Sequence, residues 1–549
     1  MPFFSKLHCL FAIVAVALFP AILEAQSQSS ARGNSPANTF RIAGTVVSKT
    51  DGHPLAGARV MLTSVKNRQK RQSVATGEDG KFDFTGVPAG KYSLAGARRG
   101  FITAGYDQHD QYASAIVTGA GIDTENLVLK LAPDAIISGR VLDETGEPVR
   151  NANVTLYFDD HQEGLHQIHT NRGAQTDDLG AFEMPSLTPG TYYLSVTATP
   201  WYAVHPERNS PQSQSAVDPA LDVSYPVTYY SDVTDADSAT PIVIHGGEHL
   251  QFDVHLSPSP SLHILVHVPV TRNGQMDFPQ LEQVVFGDSV PTQNTGARMV
   301  VPGTWEISGI PAGHYNIHLN GPSANAEISG IDLSSNSQEL DASAGEALCT
   351  VKMSVARPDS TNTPGFLVAL RSKNRTFPGF FQGESKDEVH FQNVPAGRYE
   401  VVISGPGRQY SIAQLSAEGA DVSGHAVTLG PGATASLSLA VSLGGAEVEG
   451  VAKREGKGFS GAMIVLVPNN PGVNLDLFRR DQSDLDGTFV FHNVAPGTYT
   501  VVAIEDGWDL DWSQPEIIAS YAKRGVPLRI SEKSGQTLQL PASVEVQPK

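Results

Sequence analysis

Residues Gly487-Thr488-Phe489-Val490-Phe491, followed by Val494-Ala495-Pro496-Gly497-Thr498-Tyr499, decide the fold, because the same unit occurs five times. The other copies are Gly80-Lys81-Phe82-Asp83-Phe84 with Val87-Pro88-Ala89-Gly90-Lys91-Tyr92, and Gly180-Ala181-Phe182-Glu183-Met184 with Leu187-Thr188-Pro189-Gly190-Thr191-Tyr192. Thr304-Trp305-Glu306-Ile307 leads into Ile310-Pro311-Ala312-Gly313-His314-Tyr315, and His390-Phe391 into Val394-Pro395-Ala396-Gly397-Arg398-Tyr399. In every copy an apolar strand residue lies six positions before the turn glycine and a tyrosine two after it. Proline fixes φ near −65° at the second position of a turn, and glycine supplies the next or the closing position, with φ > 0 where it directly follows the proline. The tyrosine has a ring to bury and a hydroxyl to satisfy, so it should pin the turn to the strands in the manner of a tyrosine corner.

Successive turn glycines are 100, 123, 84 and 100 residues apart. A β-sandwich takes about 100 residues, whereas propeller blades and solenoid rungs repeat every 20–50 or so. The spacing therefore predicts one sandwich per copy: an all-β chain of five tandem antiparallel β-sandwich domains. The expected boundaries are 40–132, 133–257 (with an insert at 200–224), 258–345, 346–443 and 444–549. Short joints such as Ser257-Pro258-Ser259-Pro260 and Gly444-Gly445 suggest a rod.

Three copies open alike: Ile42-Ala43-Gly44-Thr45-Val46, Ile137-Ser138-Gly139-Arg140-Val141 and Val448-Glu449-Gly450-Val451-Ala452. A second strand follows each, as in Ala58-Arg59-Val60-Met61-Leu62. The Ile-x-Gly-x-Val opening, the Gly52 to Val60 and Gly146 to Val154 runs, the Asp79-Gly80 and Asp486-Gly487 turns and the Pro-(Ala)-Gly-x-Tyr unit together resemble carboxypeptidase regulatory-like domains. The resemblance implies a transthyretin-like or starch-binding-like (Ig-like) sandwich and no peptidase activity. Members of such folds include carbohydrate binders and non-catalytic appendages of enzymes.

The composition agrees with this reading. Only 17% of the 549 residues are charged, with 52 Gly and 36 Pro, a turn-rich profile that long helices do not produce. A net charge of −19 disfavours nucleic acid and anionic lipid as partners. Residues 1–25 read as a signal peptide: Lys6, then an apolar run from Cys9 to Leu23 that is too short to span a bilayer. Residues 26–39 read as a disordered lead, and no later segment is long and apolar enough to cross a membrane. The expected location is exported: periplasmic, at the outer surface or extracellular. With Cys349 the sole cysteine beyond residue 25, no internal disulfide is possible there; Leu348-Cys349-Thr350-Val351 reads as a core strand.

No catalytic constellation is evident, and no cofactor is expected. His245-Gly246-Gly247-Glu248 has a zinc-ligand spacing but reads as a polar turn between two strands. His161, Glu163, His166 and His169, near Asp159 and Asp160, form the densest metal-ligand candidate, with a solvated loop as its alternative. Asp481, Asp484 and Asp486 lack the closing Glu of a calcium loop and read as an ordinary turn. His263, Leu265 and His267 read as the solvent face of a strand. Trp508-Asp509-Leu510-Asp511-Trp512 alternates like a strand, with Trp508 and Trp512 on one face and Asp509 and Asp511 on the other. Those rings are either buried or a platform for a sugar face flanked by carboxylates that accept hydroxyl protons. Trp201, Tyr202, Tyr229 and Tyr230, with Tyr225, form a second aromatic group beside the insert. The functional expectation is a non-catalytic exported binding protein with polysaccharide or cell-surface components as partners; the alternative is a spacer or adhesin-like protein engaging protein partners.

Overall fold

The computed structural model describes residues 39–119, 121–161, 164–205, 218–270, 277–286, 288–292, 295–320, 326–334, 338–342, 345–356, 365–372, 375–381, 388–404, 410–443, 445–531 and 535–549. The proposed signal peptide, residues 26–38 of the proposed disordered lead, Glu163 and residues 206–217 of the insert lie outside them. The described chain is all-β sandwich, and its one α-helix among the described residues is Pro515–Ala522.

Paired sheets recur within residues 39–131, 135–255, 262–347, 349–443 and 446–547, referred to below as units one to five. Each encloses its own apolar cluster, from Ile42, Val60 and Leu129 in unit one to Val448, Phe489 and Val501 in unit five. In unit five the two sheets are continuous, because Val544–Gln547 pairs with both Ala446–Arg454 and Gly497–Ile504. The sheets are not purely antiparallel. In every unit the opening strand pairs antiparallel with the strand before the proline turn and parallel with a closing strand, as Thr39–Ser48 does with Lys81–Pro88 and Leu127–Leu131. Neighbouring parallel first and last strands place chain entry and exit at opposite ends of a unit, which suits tandem arrangement.

The repeated residues act as their spacing predicts. The apolar residues six before the turn glycine (Phe84, Met184, Ile307, Phe391 and Phe491) are all buried, as are those three before it (Val87, Leu187, Ile310, Val394 and Val494). Two residues on one strand that are three apart cannot share a face in a regular pleat. A bulge reconciles them: the register slips opposite the opening strand in all five units. At the slip, four before the turn glycine, the backbone is left-handed at Gly86, Ser186, Gly309, Asn393 and Asn493 (φ 56–76°). Glycine and asparagine tolerate this conformation, as one-residue bulges require. This recurrent bulge, rather than the turn itself, is the shared left-handed position.

The tyrosine then locks the turn. Tyr92, Tyr192, Tyr315, Tyr399 and Tyr499 each donate their hydroxyl to the main-chain carbonyl four residues earlier, at 2.8–2.9 Å. Four of the rings are at most 3% exposed; Tyr92 is half-buried. Cys349 lies buried in Cys349–Ala356, as a core strand residue should.

The expected rod is not observed. Unit five folds back onto units one and two. Ala115 and Leu485 exchange a main-chain bond of 3.0 Å, and Asp484 accepts from the Ala115 amide (2.8 Å) and from Lys91 (2.7 Å). Gln482 and Ser483, both buried, bond Ser114. Arg480 pairs with Asp110 at 3.0 Å, its side chain 4% exposed, beneath the rings of Tyr112, Trp508 and Trp512 at 5.0–5.4 Å. The reason is local chemistry on the 480–488 turn: its buried polar groups find their partners on unit one, and an unpaired buried polar group would cost about 1–3 kcal/mol.

Candidate functional site

The aromatic run at 508–512 is not a strand. Gly507–Asp509 is a 3-10 turn followed by bends that lead into the helix, so period-two alternation does not apply. Trp508 stacks face to face on His109 of unit one at 4.9 Å, and Trp512 is 7% exposed, edge-on to Phe478 and against Gly164 of unit two. Both rings serve the contacts between units. Asp509 is held by Lys549, which keeps its carboxyl below the usual range, and Asp511 faces His161 at 3.5 Å.

The histidines of the metal candidate are taken up singly: His161 with Asp511, His166 with Asp159 at 2.7 Å and His169 with Asp160 at 3.7 Å. Among the described residues no three His, Cys, Asp or Glu side chains converge as a metal site, and Glu163 lies outside those residues. Glu248 accepts from the main-chain N–H groups of His245 and Gly246, the polar turn expected. Asp484 of the acidic turn carries the contact with unit one described above. His263 departs from the expected solvent face: it is tied to Asp222 beside the insert and to Glu306 at 3.2 Å.

The second aromatic group divides. Tyr202 and Tyr225 both donate to Glu144, at 2.5 and 2.9 Å. Burial and that carboxylate push the Tyr202 hydroxyl up to about 12. Tyr229 is buried with Tyr157, Val227 and Val285 in a cluster joining units two and three, and Phe286 of unit three meets Tyr157, Tyr193 and Tyr229 at 5.0–5.5 Å. Tyr230 packs on Phe252. Trp201 stands 85% exposed.

Beside this cluster lies a cleft of about 720 Å³ between units two and three. Its floor follows from strand alternation. On Asn153–Asp160 and Gly190–Thr197, Val154, Leu156, Leu194 and Val196 point into the core, so Asn153, Thr155, Tyr157, Ser195 and Thr197 point away from it. In an isolated sandwich that polar face would meet solvent. Here unit three covers it with Gln283, Thr292 and Tyr315, while Tyr225 and Pro200 close the side toward the insert. The buried Ser224 hydroxyl belongs to a lining residue of the same cleft and has no hydrogen-bond partner among the described residues. Among the described lining residues the charged side chains are Arg150 and, when protonated, His205. Sequence alone located Tyr225 and the insert. It missed Thr155, Thr197 and Gln283, because ordinary solvent-face residues carry no local signal of a covering partner.

Comparison with known proteins yields similarities of limited reach. Among solved structures, the minor pilin GBS52 of Streptococcus agalactiae is 15% identical, with 40% of this chain and 96% of that one covered at a TM-score of 0.20. The Bacillus anthracis TIE protein is 10% identical over 76% of each chain (TM-score 0.17). The major pilin subunit BcpA of Bacillus cereus is 10% identical over 92% and 99% (TM-score 0.14). Superpositions this weak carry no argument about function. No curated protein matches. The family model for the carboxypeptidase regulatory-like domain matches twice, across the opening strand, the bulge and the tyrosine-locked turn of units one and two. Residues 41–122 and 136–221 are carboxypeptidase regulatory-like domains.

Proposed function

We propose that the protein is an exported, non-catalytic binding protein, led by a signal peptide at 1–25, with five sandwich domains and a carbohydrate ligand in the cleft between units two and three. The observation that carries this reading is the lining of the cleft. Hydroxyl and amide groups from Thr155, Thr197, Asn153 and Gln283 both donate and accept, as sugar hydroxyls do, and Tyr157, Tyr225 and Tyr315 add aromatic surface. Exposed Trp201, one residue beyond Pro200 of the lining, is positioned to extend such a surface. A glycan array with the mature protein, followed by calorimetry, tests it. Thr155→Val and Gln283→Leu each remove hydrogen-bonding capacity at nearly constant volume and should weaken binding about three- to tenfold. A folded protein that retains no glycan on the array overturns the reading.

A second reading, a surface protein engaging protein partners, has one observation in its favour. Gly296–Val301 is the outer strand of its sheet, and Met299, Val300 and Val301 on it are 43–54% exposed. Unpaired edges of this kind accept a strand from another chain.

A further inference from the structure

We propose that a second cavity, where unit five meets units one, two and four, binds a small organic anion: an oxyanion head group on a ring-shaped or apolar body. The cavity measures about 800 Å³. It exists because the chain closes on itself, so no single unit contains it.

Four arginines line it. Arg371 and Arg398 come from unit four, on the strands Phe366–Arg371 and Gly397–Ser404, and Arg479 and Arg480 come from unit five, Arg480 being paired with Asp110. Arg479 is half-buried and, among the described residues, forms no ion pair. Its guanidinium donates to the carbonyls of Asp476 and Phe478 at 2.7 Å and of Asn493 at 3.5 Å. Three carbonyls leave two of its five N–H donors open, and its charge is offset only at a distance, by the Asp476 carboxylate. Burial of that charge lowers the Arg479 pKa. Arg398 is exposed and donates to the Gly472 carbonyl at 2.5 Å, likewise without a carboxylate among the described residues.

Three acids share the lining, but they are withdrawn. Glu400 accepts from Arg371 at 3.0 Å and Asp476 faces His425 at 2.7 Å, with their side chains 12% and 10% exposed. The remaining oxygens, Glu400 Oε1 and Asp476 Oδ1, have no accessible surface. Burial raises the pKa of both Glu400 and Asp481. Guanidinium groups are thus presented to the cavity while carboxylate oxygens are hidden from it. In a chain of net charge −19 that arrangement reverses the general sign of the surface. Guanidinium forks bind carboxylate or phosphate oxygens in pairs. The same lining holds Tyr112, Phe478, Trp512 and Leu165, an aromatic and aliphatic set, so the head group should carry a body that buries against rings.

Calorimetric titration of the full mature chain tests the site, with 4-hydroxybenzoate, D-glucuronate, glucose 6-phosphate and inorganic phosphate as probes and glucose as a neutral control. The two carboxylates and the phosphate ester distinguish the kinds of head group. At least one ring-bearing anion should bind saturably, with affinity falling as salt rises, and at least tenfold more tightly than inorganic phosphate. Arg398→Gln, at an exposed residue with no carboxylate to orphan, should weaken it about tenfold. Glu400→Gln removes an acid and should leave binding equal or tighter. With folding verified by thermal melting, the proposal is overturned if no ring-bearing anion binds, if inorganic phosphate binds as well as they do, or if Arg398→Gln has no effect. Glucose binding alone would support the cleft between units two and three and count against this site.

Discussion

Arg480→Gln should open the closed chain. Arg480 links strand Arg479–Gln482 of unit five to Asp110 of unit one at 3.0 Å, and its guanidinium lies over Tyr112, Trp508 and Trp512 at 5.0–5.4 Å. Removing one partner of a buried ion pair costs about 3–5 kcal/mol. Asp110 retains 28% exposure, so water takes back part of its charge and the ion-pair loss falls to about 1–2 kcal/mol. Each cation–ring contact contributes about 0.5–1 kcal/mol, and the three together add about 1.5–3. The expected destabilisation is therefore about 2.5–5 kcal/mol, shared between the Asp110 and Tyr112 contacts that join units one and five and the Trp508 and Trp512 contacts inside unit five. Small-angle scattering should show a larger radius of gyration, and urea unfolding an earlier first transition, while far-ultraviolet circular dichroism stays unchanged because every tyrosine-locked turn is intact. Arg480→Lys keeps the charge but cannot lie flat against three rings, so it should lose roughly half as much. Unchanged scattering and an unchanged midpoint in Arg480→Gln would refute the assignment of the closure to this residue. A lysine variant as damaged as the glutamine variant would show that the planar stacking, not the charge, carries the contact.

Two further expectations follow from buried groups. Tyr499→Phe deletes the hydroxyl bound to the Ala495 carbonyl at 2.9 Å and should lower stability by about 1–2 kcal/mol in urea unfolding, with no change in scattering, because the contact lies inside unit five. Burial holds Asp481 at about 6 against its ordinary 3.8, so between those values the folded state binds more protons than the unfolded one and stability falls as pH rises. That loss is complete above about pH 6 and amounts to about 3 kcal/mol. Asp481→Asn, which still accepts from the Val490 amide through its side-chain oxygen, should therefore stabilise the protein at pH 7 and have little effect near pH 3.5. A variant equally stabilised at both pH values would exclude the buried charge as the cause.

The core positions and the locked turn are legible in residue spacing. The burial of Phe84, Met184, Ile307, Phe391 and Phe491 and the tyrosine bond to the carbonyl four residues back depend on short-range geometry, which residue spacing encodes. The bulge escaped notice because its left-handed position is filled by Gly, Ser or Asn, which show no single residue signature. Trp508 to Trp512 misled because strict alternation over five residues also fits a turn whose rings are claimed by His109 and Gly164 from distant units. His263 misled for a related reason: alternation places it on the outer face, and only the insert and unit three's own Glu306 show that this face is engaged.

By itself the sequence determined the all-β class, the repeat and the locked turn, because a strand's faces and a turn's dihedrals are set by neighbours within a few residues. Tertiary structure alone decided where unit five goes, and with it the second cavity, as it decided the cleft between units two and three. Contacts such as Lys91 with Asp484 join residues 393 apart in the chain. Their partners are common polar residues that look solvent-exposed in any window of sequence, and they gain their roles only when the sandwiches pack and exclude water between them.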